Sequence, residues 1–534
     1  MSMSRNNRKT SEWLWVFLVS ASILLLSSLP IIVGVTVQTD AEIFSGAVFN
    51  RLDVDVHLAT MQLGADGGWT YRLRFTSEPH QGVYTKLAYV ASGHAAWALG
   101  LSVMTGYQLF RLGYGLLACL AVYALMAEVF EDLFWRRLAF LWALTGSGLG
   151  WLLMLLGWLP QPDISPMDFW LIDPYPFFGM LTFPHFSLAT ALLAAMLAGF
   201  LSYLRRPAGW KLAWVMMSGV LLQTAQSYAP LLADLGMAGA AAGICLRDQR
   251  VRWRAAGALS LIALAQAPLL IYGTMVFLRD PHWAEFARQN VTLSPPPAYY
   301  FWGMALLWPP ALWGGVVVFR TLLRRWRETP LAAPLAALIW LGGALVLAYL
   351  PWNLQRRFTH ALMLPLAILA VTGLQDWSRR WSSPRARLLP LLLVGLSAVS
   401  SLYLTLGLSL YVSGRPSELF DPAPLVEAVD WLGARAGGDD VVLSSARSGQ
   451  LLAARAGLVA YIGHPIETLD YDRKAAQVEA YFSGENTLTD LPACGCDWLV
   501  IGPYERASGG TFAPAGAALV YRNPEVAVYK LDNP

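Results

Sequence analysis

The sequence predicts a polytopic α-helical membrane protein with about eleven transmembrane helices and a C-terminal soluble α/β domain. Three observations carry that reading. Of 534 residues 56% are apolar and only 14% charged, with a mean hydropathy of +0.46, a composition foreign to a water-soluble globule. Apolar runs of spanning or near-spanning length recur along most of the chain. From about Ser413 those runs shorten to strand length and charges return at helical spacing.

The apolar runs cover residues 13–35, 107–129, 138–159, 185–204, 212–227, 230–245, 255–278, 298–319, 331–350, 359–374 and 388–412. A helix rising 1.5 Å per residue needs roughly twenty residues to cross a hydrocarbon core of about 30 Å, and a few of these runs fall short. The first follows Arg5, Arg8 and Lys9, exceeds a signal-peptide core in length and lacks a small-residue cleavage site, so it is expected to be an uncleaved span.

With the N-terminus placed in the cytoplasm, the basic residues collect in alternate connections, as the positive-inside trend requires. These are Arg136 and Arg137; Arg205, Arg206 and Lys211; Arg247, Arg250, Arg252 and Arg254; Arg320, Arg324, Arg325 and Arg327; Arg379, Arg380, Arg385 and Arg387. The outer connection 160–184 holds none. Missing or inventing one span would invert every later cluster, so the alternation supports both count and orientation. The chain then divides into a transmembrane part, 1–412, with an outer loop at 36–104, and an extracytoplasmic α/β domain at 413–534.

The domain is expected to alternate helices at 425–436, 450–455 and 472–482 with strands at 441–444, 458–462, 498–501, 518–521 and 526–531. No Gly-rich phosphate loop opens its helices. A net charge of +3 without a basic face argues against a nucleic-acid partner. Cys119 and Cys245 lie inside apolar runs, and Cys494 and Cys496 are too close for an easy disulfide, so Cys494-Gly-Cys496 reads as a turn.

In the outer loop Leu52, Val56, Ala59 and Leu63 recur at helical spacing, which predicts an amphipathic helix at the membrane interface. Asp53 and His57 share the neighbouring stripe, whereas Asp55 points about 200° away from Asp53, a poor geometry for a two-carboxylate metal clamp. A second interfacial helix is expected at 84–99, entered through Glu78-Pro79.

The stretches LDVDVHLATMQLGADGGW, SEPHQGVYTKLAYVASGH and FRLGYG, in that order after a basic inner end and a first span, resemble the C-type (GT-C) membrane glycosyltransferases. Within that superfamily they resemble lipid A aminoarabinose transferases and protein mannosyltransferases, and look more closely like bacterial members that end in a soluble outer domain. The likeness covers the first four spans by motif and the rest by architecture. It implies a cytoplasmic (inner) membrane protein whose donor is a polyprenyl-phosphate sugar, with no tightly bound cofactor and a divalent cation as an option. The acceptor would be a hydroxyl or amine of a glycan, lipid or protein on the outer face. The loop carboxylate implied as general base is Asp53; Asp55, His57 and Glu78 are implied around the substrates. The chain departs from the pattern where a tyrosine near His57 is absent and where Phe183-Pro184-His185 replaces an Asp-Pro.

Arg356 and Arg357 fall outside, against the positive-inside trend, so either a lipid-linked phosphate holds them or they snorkel to headgroups. Arg111, about a turn inside the second span, requires a partner and is a substrate-binding suspect. Asp234, with Gln226 and Tyr228, is the partner considered for it, or a structural cluster. The outer loop holding Asp163, Asp168, Asp173, Trp170, Tyr175, Phe177 and Phe178 suits either a carbohydrate or an interfacial aromatic belt, and His185 would face such a pocket. His464 and Glu467 suit acceptor binding or helix capping. Two other function classes compete: a transporter or lipid flippase, and a non-catalytic membrane scaffold for envelope assembly.

Overall fold

The computed structural model describes residues 5–158, 165–324, 331–380, 387–485, 495–509 and 517–531, with side chains from Thr10 onward. Of the residues singled out above, Asp163, Arg325, Arg327, Arg385 and Cys494 lie outside the described residues. The chain forms two compact units. One comprises Met1–Leu29, Phe110–Tyr272 and Val291–Gly407; the other comprises Pro30–Leu109, Gly273–Asn290 and Leu408–Pro534.

The first unit is a helical bundle. Among the described residues of the whole chain, seven helices are long and apolar enough to cross a membrane: Thr10–Val37, Val103–Val129, Pro184–Arg205, Pro230–Asp248, Trp253–Arg279, Gln355–Ser378 and Leu388–Ser413. An eighth follows if Pro297–Gly303 and Trp308–Arg324, bent by 99°, count as one span. The protein is therefore a multi-pass membrane protein, but the expected count of about eleven is not reached. The reason is local. The apolar run 138–159 breaks into Leu133–Thr145 and Gly150–Leu155, and Gly209–Ala225 and Ala332–Leu347 stop at 17 and 16 residues.

At that break the Ser147 hydroxyl and backbone N–H both donate to the Ser397 carbonyl, at 2.5 and 2.9 Å, and Leu149 N–H donates to Trp302 carbonyl at 3.1 Å. A Cβ on Gly148 would collide with the backbone of Trp302 and Gly303, so only glycine admits this approach. Irregular backbone inside a bundle persists because neighbouring segments satisfy its polar groups.

The second unit holds the loop helices Arg51–Ala65 and Leu87–Ala98, which pack backbone to backbone: a Cβ on Gly64 would strike the Val90 carbonyl, and one on Gly93 the Met61 carbonyl. Its five-stranded sheet runs in the order Val459–Ala460, Val441–Leu443, Trp498–Ile501, Ala527–Leu531, Ala517–Arg522. The first three strands are parallel and the last two antiparallel to their neighbours. Ala423–Gly433 and Ala446–Ala456 pack on one face through Leu425, Val429, Leu432 and Leu452, and Tyr471–Phe482 on the other through Val478, Tyr481 and Phe482. This is the α/β sheet expected at the C-terminus, with its elements close to their expected places.

Two expectations change here. The apolar stripe of the first loop helix does not face a membrane interface: Val56 and Ala59 are buried against Phe75 and Ala453, and Leu63 among Tyr71, Leu73 and Trp283, because Ala446–Ala456 and the following loop cover it. Leu52 alone of the stripe stays exposed. Cys496 is disulfide-bonded, whereas Cys119 and Cys245 are free.

Candidate functional site

Asp53 sits in the first turn of Arg51–Ala65, where a carboxylate gains from the helix dipole. Asn50 caps that helix in a left-handed conformation, φ 43°, which asparagine tolerates better than most residues. The cap is reciprocal: Asp53 N–H donates to Asn50 Oδ1 at 3.4 Å, and Asn50 Nδ2 donates to Asp53 Oδ2 at 2.5 Å. The other carboxylate oxygen, Oδ1, lies 3.4 Å from His464 Nε2. His464 Nδ1 accepts the Ile466 N–H at 3.1 Å, so a neutral ring carries its proton on Nε2, facing Asp53. The Asp53 side chain remains 41% exposed and that of His464 only 6%, so a buried imidazole backs a solvent-facing acid.

Asp55 points elsewhere, as its place on the helix requires. It accepts from Arg51 Nε at 3.2 Å, and Arg51 forks onto both oxygens of Asp421 at 2.9 and 2.6 Å. Burial pushes the Asp55 carboxyl up to about 6, by more than the nearby Arg51 guanidinium draws it back. Asp55 is thus a buried strut tying the loop helix to the C-terminal segment. His57 is also buried, its ring stacked on Tyr89 with centroids 4.2 Å apart.

Glu78 receives Lys474 Nζ at 2.7 Å and the Thr76 hydroxyl. Burial works against its charge, but the hydrogen bonds from Lys474 and Thr76 outweigh it and hold the carboxyl below the usual glutamate range. Burial lowers the Lys474 ammonium by more than the nearby Glu78 carboxylate raises it.

Sequence reasoning missed the cluster beside it. Lys86, left-handed at φ 51° just before the second loop helix, donates to Glu467 Oε1 at 2.7 Å and to the Tyr71 hydroxyl at 3.0 Å, and Tyr71 donates to Glu467 Oε2. A signal existed: Lys86 is a cation in the loop expected to lie outside, against the same charge trend that singled out Arg356. Glu467, weighed as an acceptor residue, is buried in this cluster.

The remaining expected residues belong to the first unit. Arg356 and Arg357 lie on a short 3-10 turn, Gln355–Thr359, at the head of the helix Met363–Ser378. Arg357 Nη1 is 3.9 Å from Asp173 Oδ1, and burial raises the Asp173 carboxyl against the pull of Arg357 and Arg356. Asp173 carbonyl accepts Ala361 N–H at 2.8 Å, pinning loop to turn. The Arg356 guanidinium lies 5.9 Å from the Trp170 ring centre, and its buried Nε has no hydrogen-bond partner among the described residues. Asp168 is buried and accepts Gly150 N–H at 3.1 Å, and burial pushes it up to about 6. Asp168 and Asp173 are thus both buried within the loop.

Arg111 is buried and donates to the Met180 carbonyl at 2.7 Å and the Ser28 hydroxyl at 2.9 Å. Asp234 instead accepts from Gln266 Nε2 at 3.3 Å. His185, half-buried at the start of Pro184–Arg205, packs against Phe183 and Phe186. Among the described residues no group of three or more His, Cys, Asp or Glu side chains is placed to hold a metal ion, so the optional divalent cation gains no support from the donor set.

No protein-family model matches the chain, and no curated protein matches it. Solved structures do. The crystal structure of ArnT from Cupriavidus metallidurans bound to undecaprenyl phosphate superposes with a TM-score of 0.50 at 12% identity, covering 96% of this chain and 98% of that one. The apo state of the same protein gives a TM-score of 0.45 at 13% identity with the same coverage. The undecaprenyl-phosphate-bound structure shows the fold: this chain has the architecture of ArnT, a lipid A aminoarabinose transferase of the GT-C type, over nearly its whole length.

Proposed function

We propose that this protein is a GT-C glycosyltransferase of the cytoplasmic membrane, N-terminus inside, that moves a sugar from a polyprenyl-phosphate carrier to an acceptor on the outer face. The observation that carries the reading is Asp53, an accessible carboxylate braced on both oxygens by Asn50 and His464. The shared fold supports it, because that structure of ArnT holds a polyprenyl phosphate.

In this reaction an acceptor hydroxyl or amine attacks the anomeric carbon while Asp53 takes its proton. The bond from anomeric carbon to phosphate oxygen breaks with its electron pair on the phosphate, giving inversion at the sugar. A base held in one orientation needs little reorganisation at the moment of transfer. Cationic groups lower the cost of the charge on the departing phosphate. Arg356 and Arg357 are assigned that role, since a guanidinium fork matches phosphate oxygens and Arg356 Nε has an unmet hydrogen bond among the described residues.

The test uses purified protein in lipid vesicles with polyprenyl-phosphate sugars and a panel of glycan, lipid and peptide acceptors. The wild-type protein should form a new glycosidic bond, and D53N should bind the donor yet turn over roughly 10²–10⁴-fold more slowly, the range for loss of a general base. Labelled donor crossing the vesicle without bond formation would replace this reading with a transporter. Indifference of every readout to D53N would leave a scaffold.

A further inference from the structure

The helix Met363–Ser378 begins beside Arg357 and ends, about 24 Å away at 1.5 Å per residue, at a second feature that the transfer reaction does not use. There the first unit opens into a cavity of about 1050 Å³. Its polar lining is strongly one-signed: Arg205, Arg247, Arg320, Arg324, Arg379 and Arg380 stand against Glu131 and Asp376.

Three of the arginines are compensated. Arg205 pairs with Glu128 at 2.7 Å, Arg247 with Asp248 at 3.1 Å, and Arg380 with Asp376 at 2.8 Å. Arg320, Arg324 and Arg379 have no carboxylate in ion-pair range among the described residues. Trp313 forms a base for two of the guanidiniums, with Arg320 at 5.0 Å and Arg380 at 5.2 Å from its ring centre, while its Nε1 donates to Asp376 at 3.0 Å. The rest of the wall mixes apolar side chains such as Leu201, Ile244 and Val317 with Thr321, Thr372 and Gln375.

Loops at a cytoplasmic membrane surface carry arginine in any case, but there the side chains spread into water. Here arginines from four connections line one hollow between helices, with apolar side chains beside the charges. We infer that this cavity is a binding site for an anionic phospholipid of the cytoplasmic leaflet, its phosphate held by Arg320, Arg324 and Arg379 and its acyl chain along the apolar side chains. Charge complementarity selects a phosphate, and the apolar side chains select a lipid over a soluble anion. The inference stands independently of the transferase reading.

The full-length protein, purified in mild detergent, is offered phosphatidylglycerol, phosphatidylcholine or inorganic phosphate, and retained lipid is counted by native mass spectrometry. Wild type should keep phosphatidylglycerol in preference to phosphatidylcholine, and R320Q/R324Q/R379Q should keep at least tenfold less. A control removing equal charge at the same end but outside the cavity, R206Q/R250Q/R254Q, should retain wild-type levels. If the triple variant loses its thermal transition, R379Q alone should show about a threefold loss. Equal loss in the control would reduce the effect to diffuse surface charge and overturn the site. Full displacement of the lipid by millimolar inorganic phosphate would overturn it in favour of a soluble anion.

Discussion

His464 Nε2 lies 3.4 Å from Asp53 Oδ1, and the Ile466 N–H on Nδ1 determines which ring nitrogen carries the proton. A positioning residue of this kind acts only through the carboxylate it faces. H464N should lower kcat by about tenfold with little change in the donor KM, and D53N/H464N should be no slower than D53N, because residues acting as a unit are not additive. Steady-state kinetics of the four proteins check this. Additive losses would make His464 an independent catalytic group.

Arg356 is expected to act on binding. R356Q should raise the KM for polyprenyl-phosphate sugar about tenfold, the loss of one charge-assisted hydrogen bond of roughly 1.5 kcal/mol, while R356K recovers only part of it because an ammonium cannot fork. Donor titrations measure it directly. An unchanged KM would return Arg356 to headgroup snorkelling.

Gly64 and Gly93 let two helices touch backbone to backbone. G64V and G93V must push those helices apart, at a cost of about 1–3 kcal/mol for overpacking, and activity should fall with the melting temperature. G67A, at a glycine with open space around it but a positive φ of 92°, should cost less, about 1 kcal/mol. Thermal melts of the three variants rank the effects.

The Glu78–Lys474 pair predicts an acid-labile tie. Because the folded state holds the Glu78 carboxyl below its ordinary range, the pair stabilises the protein above the unfolded value, near pH 4.3, and that gain disappears as pH falls through the lower folded value. The melting temperature of wild type should exceed that of E78Q at pH 7, and the difference should shrink as the pH is taken down through the lowered Glu78 value. A difference independent of pH would mean that E78Q acts through packing alone.

Much of this molecule was legible in its residues alone. The apolar runs and alternating arginines reported a multi-pass membrane protein, since lipid tolerates little else, and helical spacing put Asp53 and Asp55 on different faces of one helix. Strand and helix periods likewise located the elements of the C-terminal sheet. Tertiary structure alone decided which side chains meet. Lys474 reaches Glu78 from 396 residues downstream and Arg51 grips Asp421 from 370 upstream, separations that no local period encodes. It also decided where apolar runs break, because Gly148 yields to a backbone contributed by Trp302 and Gly303. And it buried the stripe of Val56 and Ala59 under Ala453: periodicity reports that a face is apolar, while the identity of what covers it depends on chain brought from elsewhere.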